Sequence, residues 1–263
     1  MPFAKINGID LFYESHGTGP AVVLAHGRNG NHLTWWKQVP AFVKHFQVII
    51  FDHRGFGLSR DVDAKPGRSL FVRDLLGLAD HLELGKLSII GQSMGGWTAL
   101  GFAVTFPDRV ERLVLADTTA GISAPRVLQA INTRPEPPRD FLERALSEMY
   151  RLDNVAETFL YSQIAGVNPP DPEPLESLLK SSDGPQEEAL RALNVPTMFV
   201  VGELDPVVSP GMAETCADLF PDAIVEVFPK AGHSVYFEQP QYFNKRVIEF
   251  LLAGHPRHRE YCD

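Results

Sequence analysis

The chain has 263 residues, of which 44% are hydrophobic and 22% charged, a composition that favours a globular protein large enough to bury a substantial core. Its longest apolar runs are four or five residues, far short of the roughly 18 that a membrane-spanning helix needs, so we expect no membrane association. The formal net charge of −9 and the absence of any block of basic residues argue against a nucleic-acid partner.

Short apolar runs alternate with segments of helical spacing along most of the chain. Runs at 3–6 and 9–13, separated by Asn7 and Gly8, predict an opening hairpin. Six further runs predict buried central strands: 21–25, 48–51, 87–90, 113–116, 197–201 and 224–228. Helices are predicted at 32–45, 69–82, 94–106, 211–220 and 242–252. This alternation is typical of an α/β fold with a mostly parallel, eight-stranded sheet flanked by helices.

Residues 121–190 break the alternation, because they contain no strand-like run. Nine of the 21 prolines and a net charge of −6, from six basic and twelve acidic residues, fall in this stretch. Two helices are predicted here from spacing, one through Leu142, Leu146 and Met149 after Pro138, and one through Ala156, Phe159 and Leu160 that ends at Asn168. We predict a helical cap, or lid, at 121–190 inserted into a core of residues 1–120 and 191–263. The alternative, a disordered acidic linker, is disfavoured by the aromatic residues of the stretch.

A nucleophile is predicted at Ser93. Residues 91–96 read Gly-Gln-Ser-Met-Gly-Gly, which fits the G-x-S-x-G pattern between a predicted strand and a predicted helix. Glycines on both sides permit a sharp turn that would project the hydroxyl beyond the sheet, at a helix N-terminus. An incidental serine in a glycine-rich turn is the alternative, and the strand-turn-helix context disfavours it.

A serine hydroxyl needs a base, and His233 is the best placed of nine histidines because it follows the last predicted strand in a loop of small residues. The histidine in turn needs an acid to orient it. Asp205, which follows the strand at 197–201, is the first candidate, and Asp117 and Glu203 are the alternatives. The first candidate gives the chain order serine, aspartate, histidine.

An oxyanion at the reacting carbonyl would need two backbone N–H donors. The amide of Met94 follows the nucleophile in the first turn of a helix. The second donor is expected in the loop after the strand at 21–25, where Arg28 is the first choice and Asn29 the second. Phosphate binding by this glycine-bearing loop is disfavoured, because the chain lacks both G-x-G-x-x-G and G-K-[ST] there.

These motifs, together with His26-Gly27, the run Asp-His-Arg-Gly-Phe-Gly-Leu-Ser at 52–59 and Glu238-Gln-Pro after the base, resemble those of the α/β-hydrolase superfamily. The resemblance is to its branch of small, cap-bearing serine esterases, lactonases and enol-lactonases. It covers nearly the whole chain, with 121–190 matching only the variable cap. It implies a Ser-His-Asp triad at Ser93, His233 and Asp205, with no cofactor and no metal. A serine at 93 disfavours the epoxide hydrolases and haloalkane dehalogenases of this fold, which carry an aspartate there.

The predicted function is hydrolysis of a small to medium carboxylic ester or lactone through an acyl-enzyme. The acidic cap favours a neutral or apolar substrate. Five side chains are predicted to line its pocket: Trp36, Trp97, Phe141, Phe159 and Val235. The alternatives are a C–C bond hydrolase of dicarbonyl compounds, a cofactor-free perhydrolase, and a ligand-binding receptor with residual hydrolysis.

A cytoplasmic location is predicted from two observations. The two cysteines, Cys216 and Cys262, do not form a disulfide framework, and the first ten residues lack the apolar core of a secretory signal. The oligomeric state is not predicted.

Overall fold

The structure is a computed structural model that describes residues 2–60, 68–169 and 184–254. Part of the predicted cap, residues 170–183, and Cys262 lie outside the described residues. Eight strands form one sheet: β1 (Phe3–Ile6), β2 (Ile9–His16), β3 (Ala21–Ala25), β4 (Gln47–Phe51), β5 (Leu87–Gln92), β6 (Val110–Ala116), β7 (Thr197–Gly202) and β8 (Ile224–Phe228). Their order across the sheet is β1-β2-β4-β3-β5-β6-β7-β8.

The sheet is antiparallel at one end and parallel over the rest. β1 and β2 pair as the predicted hairpin, and β2 pairs antiparallel with β4. From β4 to β8 all neighbours are parallel; Val23 of β3, for example, lies opposite Ile49 of β4 and Ile89 of β5. The predicted α/β fold with a mostly parallel, eight-stranded sheet is therefore confirmed.

The prediction that all six later runs are buried central strands is wrong for β8. Among the described strands it is the last in the sheet, with β7 as its one neighbour. Its Ile224 and Val227 side chains are exposed, since an edge strand loses part of the cover that neighbours give a central strand.

Helices on the two faces of the sheet complete the fold. Those of the core are α1 (Val39–Phe42), α2 (Arg68–His81), α3 (Met94–Thr105), α9 (Pro210–Ala217), α10 (Val235–Glu238) and α11 (Pro240–Leu252). The predicted single helix at 32–45 is instead a 3₁₀ turn, His32–Trp35, followed by α1. Pro40 lies in the first turn of α1, the part of a helix that tolerates a missing N–H, so the helix has to begin anew there. Within the described ranges, no helix is both long and apolar enough to cross a bilayer.

Between β6 and β7 the described residues form helices and no strand. They are α4 (Pro125–Thr133), α5 (Phe141–Ala145), α6 (Glu148–Asp153), α7 (Val155–Ala165) and α8 (Glu187–Arg191). The helix predicted through Leu142, Leu146 and Met149 is two helices, because Leu146 has extended backbone and the Ser147 hydroxyl accepts from the Tyr150 N–H to begin α6. We refer to these helices, α4 to α8, as the cap. That residues 121–190 form an inserted lid stays a prediction.

Alternate residues of the central strands supply two separate apolar layers. Val23, Ile49 and Ile89 belong to one layer, which packs against α2, α3 and α9. Val22, Val48 and Ile90 belong to the other, which packs against α1 and α11. The two-residue period of a strand thus buries both faces of the sheet and leaves its carboxyl edge for the loops that carry polar side chains.

A buried ion pair ties the hairpin to this framework. The Arg54 guanidinium donates from two nitrogens to the Asp74 carboxylate of α2, at 2.7 and 2.9 Å. The side chain of Asn7, in the hairpin turn, donates to the same carboxylate, and Arg54 donates to the Asn7 carbonyl. Three segments distant in sequence are therefore joined through one carboxylate.

Replacing Asp74 by asparagine is expected to lower the free energy of unfolding by about 3 kcal/mol, because it removes the negative charge that accepts two hydrogen bonds from the buried Arg54 guanidinium. The matched change Asp10→Asn disrupts the exposed Lys5–Asp10 pair and should cost less than about 1 kcal/mol. Urea unfolding of both variants measures the difference. Equal losses of unfolding free energy in the two variants would show that the buried ion pair contributes no more to stability than the exposed one.

Candidate active site

Ser93 lies in a sharp turn between β5 and α3, in a backbone conformation that side chains rarely adopt (φ 50°, ψ −115°). Close packing holds it there. A Cβ atom at Gly95 would overlap the carbonyl oxygen of Ala25 in β3, and one at Gly91 would overlap the backbone of Gly95. The Ser93 N–H donates to the Ala116 carbonyl of β6 at 2.9 Å. The two glycines of the motif are therefore required by the approach of α3 to the sheet, as well as by the turn.

His233 and Asp205 meet Ser93 at the carboxyl edge of the sheet. Asp205 follows β7 and His233 follows β8. His233 Nδ1 lies 2.8 Å from Asp205 Oδ2, and His233 Nε2 lies 3.0 Å from Ser93 Oγ. A carboxylate only accepts, so Nδ1 carries the proton and Nε2 is left to accept from the serine hydroxyl. The three side chains predicted from separate motifs thus form one hydrogen-bonded chain.

The Asp205 carboxylate is itself held from its other side. Its Oδ1 accepts the N–H groups of Val207 and Val208 at 2.7 and 3.0 Å. One oxygen therefore serves the backbone and the other serves the imidazole. This division fixes the carboxylate in the orientation that His233 requires.

The two alternative acids have other partners. Asp117 is fully buried, and its carboxylate accepts the N–H groups of Gly202 and Val235. Burial, and then the nearby charge of Asp205, raise the pKa of Asp117 well above its usual value. Glu203 accepts the N–H of Lys230 at an exposed position. Of these three carboxylates, Asp205 is the one that is hydrogen-bonded to the imidazole.

Two buried histidines lie beneath the loop that carries Arg28. His26 Nδ1 donates to the Gly27 carbonyl at 2.7 Å, and its Nε2 accepts the His53 N–H at 3.0 Å. Burial lowers the pKa of His26 to about 4 and that of His53 well below its usual value, so both rings are neutral at neutral pH. They act as uncharged hydrogen-bonding groups that fix the loop.

The predicted oxyanion donors, Met94 and Arg28, come from two separate segments of the chain. Met94 begins α3, so its N–H is one of the first helical amides, which have no acceptor within the helix. Arg28 lies in the loop after β3. Both residues line a space of about 320 Å³ together with Ser93 and His233. That the backbone N–H groups of Met94 and Arg28 bind an oxyanion stays a prediction.

A second space adjoins Ser93 and His233, and its empty volume, counted with its open mouth, is about 460 Å³. Its walls come from the loop after β3, from the nucleophile turn, from the cap and from the loops after β7 and β8. The described residues that line it are Gly27, Arg28, Asn29, Gly30, Gln92, Ser93, Phe141, Arg144, Ala145, Tyr161, Val207, His233 and Tyr236. We refer to this space as the active-site cavity.

The structure places two of the five predicted pocket residues at these spaces. Phe141 lines the active-site cavity, and Trp97 lines the adjoining space with Ser93. The other three predicted residues line neither space. Trp36 is 44% exposed on the outer surface and Phe159 is 64% exposed, while Val235 is fully buried, with its N–H on Asp117.

Helix geometry explains the misplaced aromatic residue of the cap. Phe159 and Tyr161 both belong to α7, and residues two apart on a helix point in different directions. Tyr161 faces the cavity, where its hydroxyl is 2.8 Å from the hydroxyl of Ser234. The sequence shows that the cap is aromatic, but the face turned inward depends on how α7 docks.

Sequence reasoning did not identify Gln92 and Arg144 as lining residues. The Gln92 amide donates to the His233 carbonyl at 2.9 Å and so supports the loop of the base. Its position beside Ser93 in the motif was a usable signal. Arg144 lies on α5 of the cap and had no such signal.

Glu238 joins the cap to the loop of His233. One carboxylate oxygen accepts the N–H groups of Gly232 and Ser147, at 3.0 and 3.1 Å, and the other accepts the Ser147 hydroxyl at 2.6 Å. Burial raises the pKa of this carboxyl group. The start of α6 and the residue before His233 are therefore held by the same side chain.

Among the described residues, no group of three or more His, Cys, Asp or Glu side chains is arranged to hold a metal ion.

Comparison with known proteins gives a family match over most of the chain. A family model described as the alpha/beta hydrolase fold matches residues 20–146 and 131–240. A solved structure of a thermophilic esterase from Thermogutta terrifontis, with malate bound, is 30% identical, with a TM-score of 0.81 over 97% of this chain and 100% of that one.

Two curated relatives are each 29% identical. One is a putative 2-succinyl-6-hydroxy-2,4-cyclohexadiene-1-carboxylate synthase of Bacillus subtilis, with 91% of this chain and 93% of the relative aligned. The other is a 2-hydroxymuconate semialdehyde hydrolase of Pseudomonas sp., with 94% and 92% aligned.

Replacing Glu238 by alanine is expected to free the amides of Gly232 and Ser147 from their shared acceptor. Each lost acceptor for a buried donor costs about 1–3 kcal/mol, so protection of these two amides from hydrogen exchange should fall at least about tenfold. Glu238→Gln is the control, because its amide oxygen can still accept both N–H groups. Unchanged protection in the alanine variant would contradict the role given to Glu238.

Proposed function

The chain belongs to the α/β-hydrolase fold family, and from this membership we propose that it is a serine hydrolase that cleaves a small to medium carboxylic ester or lactone through an acyl-enzyme intermediate. The observation that carries the proposal is the chain of hydrogen bonds from Asp205 through His233 to Ser93, at the wall of the active-site cavity. A small molecule is the expected partner. A cytoplasmic location stays a prediction.

The first half of the reaction forms the acyl-enzyme. Ser93 Oγ attacks the substrate carbonyl while His233 Nε2 takes the hydroxyl proton. The imidazolium so formed is stabilised by Asp205, which accepts from Nδ1 throughout. His233 then gives its proton to the leaving oxygen, the C–O bond breaks, and the acyl group remains on Ser93.

The second half regenerates the enzyme. A water molecule that enters the site gives a proton to His233 as its oxygen attacks the acyl carbon, and the proton then passes to Ser93 Oγ as the acid departs. In both halves the carbonyl oxygen becomes negatively charged. The N–H groups of Met94 and Arg28 are the donors proposed to stabilise that charge.

The esterase likeness favours ester chemistry, since that relative is 30% identical over nearly the full length. A second candidate is hydrolysis of a C–C bond in a dicarbonyl compound, which the likeness to a 2-hydroxymuconate semialdehyde hydrolase supports. Parallel assays of a vinylogous diketone and of simple esters separate the two, because each chemistry predicts that its own substrate is turned over faster.

A fluorophosphonate probe should label the wild-type protein. Ser93→Ala should abolish this labelling and lower ester turnover by at least about 10³-fold. The control is Ser162→Ala, which removes a cap hydroxyl that donates to the Phe159 carbonyl of the same helix, and it should leave labelling intact. Circular dichroism checks that each variant is folded. Full turnover by a folded Ser93→Ala protein would refute the proposal.

The same change, aspartate to asparagine, at positions 205 and 117 tests which carboxylate orients His233. Asp205→Asn should lower kcat by about 10⁴-fold, because an amide can donate to Nδ1, which shifts the imidazole proton to Nε2 and removes the acceptor for Ser93. Asp117→Asn leaves the imidazole partner in place and should lower kcat by less than about tenfold. Steady-state kinetics on a 4-nitrophenyl ester measure both. The reverse ranking would assign the role to Asp117.

A further inference from the structure

The turn that follows β6 contacts the backbone of the nucleophile. Thr118, two residues past the end of this strand, is buried, and its Oγ1 lies 2.7 Å from the carbonyl oxygen of Ser93. The Ala120 N–H donates to the same Oγ1 at 2.8 Å. A hydroxyl has one proton, and the Ala120 N–H can only donate, so the proton of Thr118 is directed to the Ser93 carbonyl. Thr118 is therefore a hydrogen-bond donor to the backbone of the nucleophile.

The glycine after Gly95 makes room for this contact. A Cβ atom at Gly96 would lie 2.5 and 2.6 Å from Cγ2 and Oγ1 of Thr118, which is too close for either residue to keep its place. The Gly96 N–H also donates to the Ser93 carbonyl oxygen, at 3.0 Å, so this oxygen accepts two hydrogen bonds. The last glycine of the motif at 91–96 thus permits the approach of Thr118, whereas Gly95 permits the approach of α3 to the sheet.

The turn that carries Thr118 has an uncommon backbone conformation. Asp117 and Ala120 both have positive φ, 49° and 52°, although neither is a glycine. The Asp117 N–H donates to the Val200 carbonyl of β7 at 2.7 Å, which fixes the start of the turn. Such a conformation persists only where the surrounding contacts enforce it, and it is typical of functional sites. The Thr118 hydroxyl is thus presented to Ser93 by a strained turn.

The bond to Ser93 also affects the next amide, because one peptide group joins the Ser93 carbonyl to the Met94 N–H. In a planar trans peptide these two groups point in opposite directions. The contacts that hold the carbonyl oxygen therefore set the direction of the N–H. Hydrogen bonds accepted by a carbonyl also polarise its peptide, which strengthens the bond that the N–H donates by about 10–30%.

We propose that Thr118 is a positioning residue for the oxyanion: its hydroxyl holds the Ser93–Met94 peptide so that the Met94 N–H faces the negative charge that develops on the substrate carbonyl oxygen. This inference rests on the proposed serine hydrolase function and on Met94 as an oxyanion donor. It adds a residue that acts through the backbone. The donor is then oriented from the end of β6, while the nucleophile follows β5.

Thr118→Val replaces the hydroxyl by a methyl group of similar size. It should lower kcat for 4-nitrophenyl butyrate by about tenfold. This is less than the loss of about 10²- to 10³-fold on removal of an oxyanion donor, because the Met94 N–H is still present but less firmly held. KM should change by less than about twofold, since the effect is on the transition state. Thr118→Ser keeps the hydroxyl and should retain kcat within about threefold of the wild-type value.

The control is Thr197→Val, at the start of β7 and so at the far end of that strand from Asp205. Thr197 is also buried, and its hydroxyl also donates to a backbone carbonyl, that of Val195, at 2.8 Å. This variant should lower Tm while leaving kcat within about twofold of wild type. Circular dichroism checks the fold of each variant, and Thr118→Ala, with the same expected kinetics, replaces Thr118→Val if the latter is unfolded.

A thionoester separates an effect on the oxyanion from a general distortion of the site. In this substrate sulfur replaces the carbonyl oxygen, and sulfur accepts hydrogen bonds weakly, so its hydrolysis gains little from the oxyanion donors. Thr118→Val should lower kcat/KM for the thiono analogue of 4-nitrophenyl butyrate by less than about threefold, against about tenfold for the ester itself. Equal losses for the two substrates would overturn the proposal. A loss confined to KM would also overturn it, because it would indicate that Thr118 contacts the substrate directly.

The rate of labelling by a fluorophosphonate separates this inference from the proposed function, because the phosphonyl oxygen needs the same donors and no ester has to be cleaved. If esters are cleaved through Ser93 and Thr118→Val changes neither kcat nor labelling, the hydrolase proposal stands and the role of Thr118 is overturned. If no ester is cleaved but Thr118→Val slows the labelling of Ser93 about tenfold, the role of Thr118 stands and the ester hydrolase proposal fails. Labelling at an unchanged rate without ester cleavage overturns both, as does a wild-type protein that is neither labelled nor active.

Discussion

The approach of α3 to the backbone of β3 is the constraint on which the site depends. Gly95 brings the helix so near that any side chain there would overlap the Ala25 carbonyl, and the chain between β5 and α3 then has too little room for a relaxed turn. Ser93 consequently takes positive φ, held by its N–H on β6. The nucleophile thus lies in a tightly packed turn, and the backbone of that turn positions it.

A cluster of carboxylates surrounds the base on the other side. Asp205, Asp117 and Glu238 approach the loop of His233 from three segments. Burial, and then the charge of Asp205, raise the pKa of both Asp117 and Glu238. Backbone N–H groups meet all three carboxylates. These amides offset the cost of burying the carboxylates and at the same time fix the loops that carry them. The arrangement reserves one oxygen, Oδ2 of Asp205, for the imidazole.

Local rules account for much of this site. The glycines around Ser93, the order of Asp205 and His233 after successive strands, and the sheet pattern are all encoded within short stretches of sequence, so they could be read without the structure. The choice between Asp205 and Asp117 could not be predicted from the sequence, because it depends on where two loops meet in space. The side chains that the cap turns toward the cavity were harder still to predict. Which of Phe159 and Tyr161 faces inward, and that Arg144 rather than an acidic neighbour reaches the cavity, follow from the docking of short helices against the core. Trp36 shows the same limit, since adjacent Trp35 is the one that is buried.

The shared carboxylate of Glu238 has a consequence for how such a protein could be changed. It serves the start of α6 and the backbone just before His233 at once, so the cap and the loop of the base are one mechanical unit. A cap transplanted from a relative without a serine at the position of Ser147 would leave Gly232 and Glu238 with an altered set of bonds. An exchange of caps that is meant to change substrate specificity therefore has to include residues 232–238. Sequence changes in the cap and in residues 232–238 constrain one another during evolution.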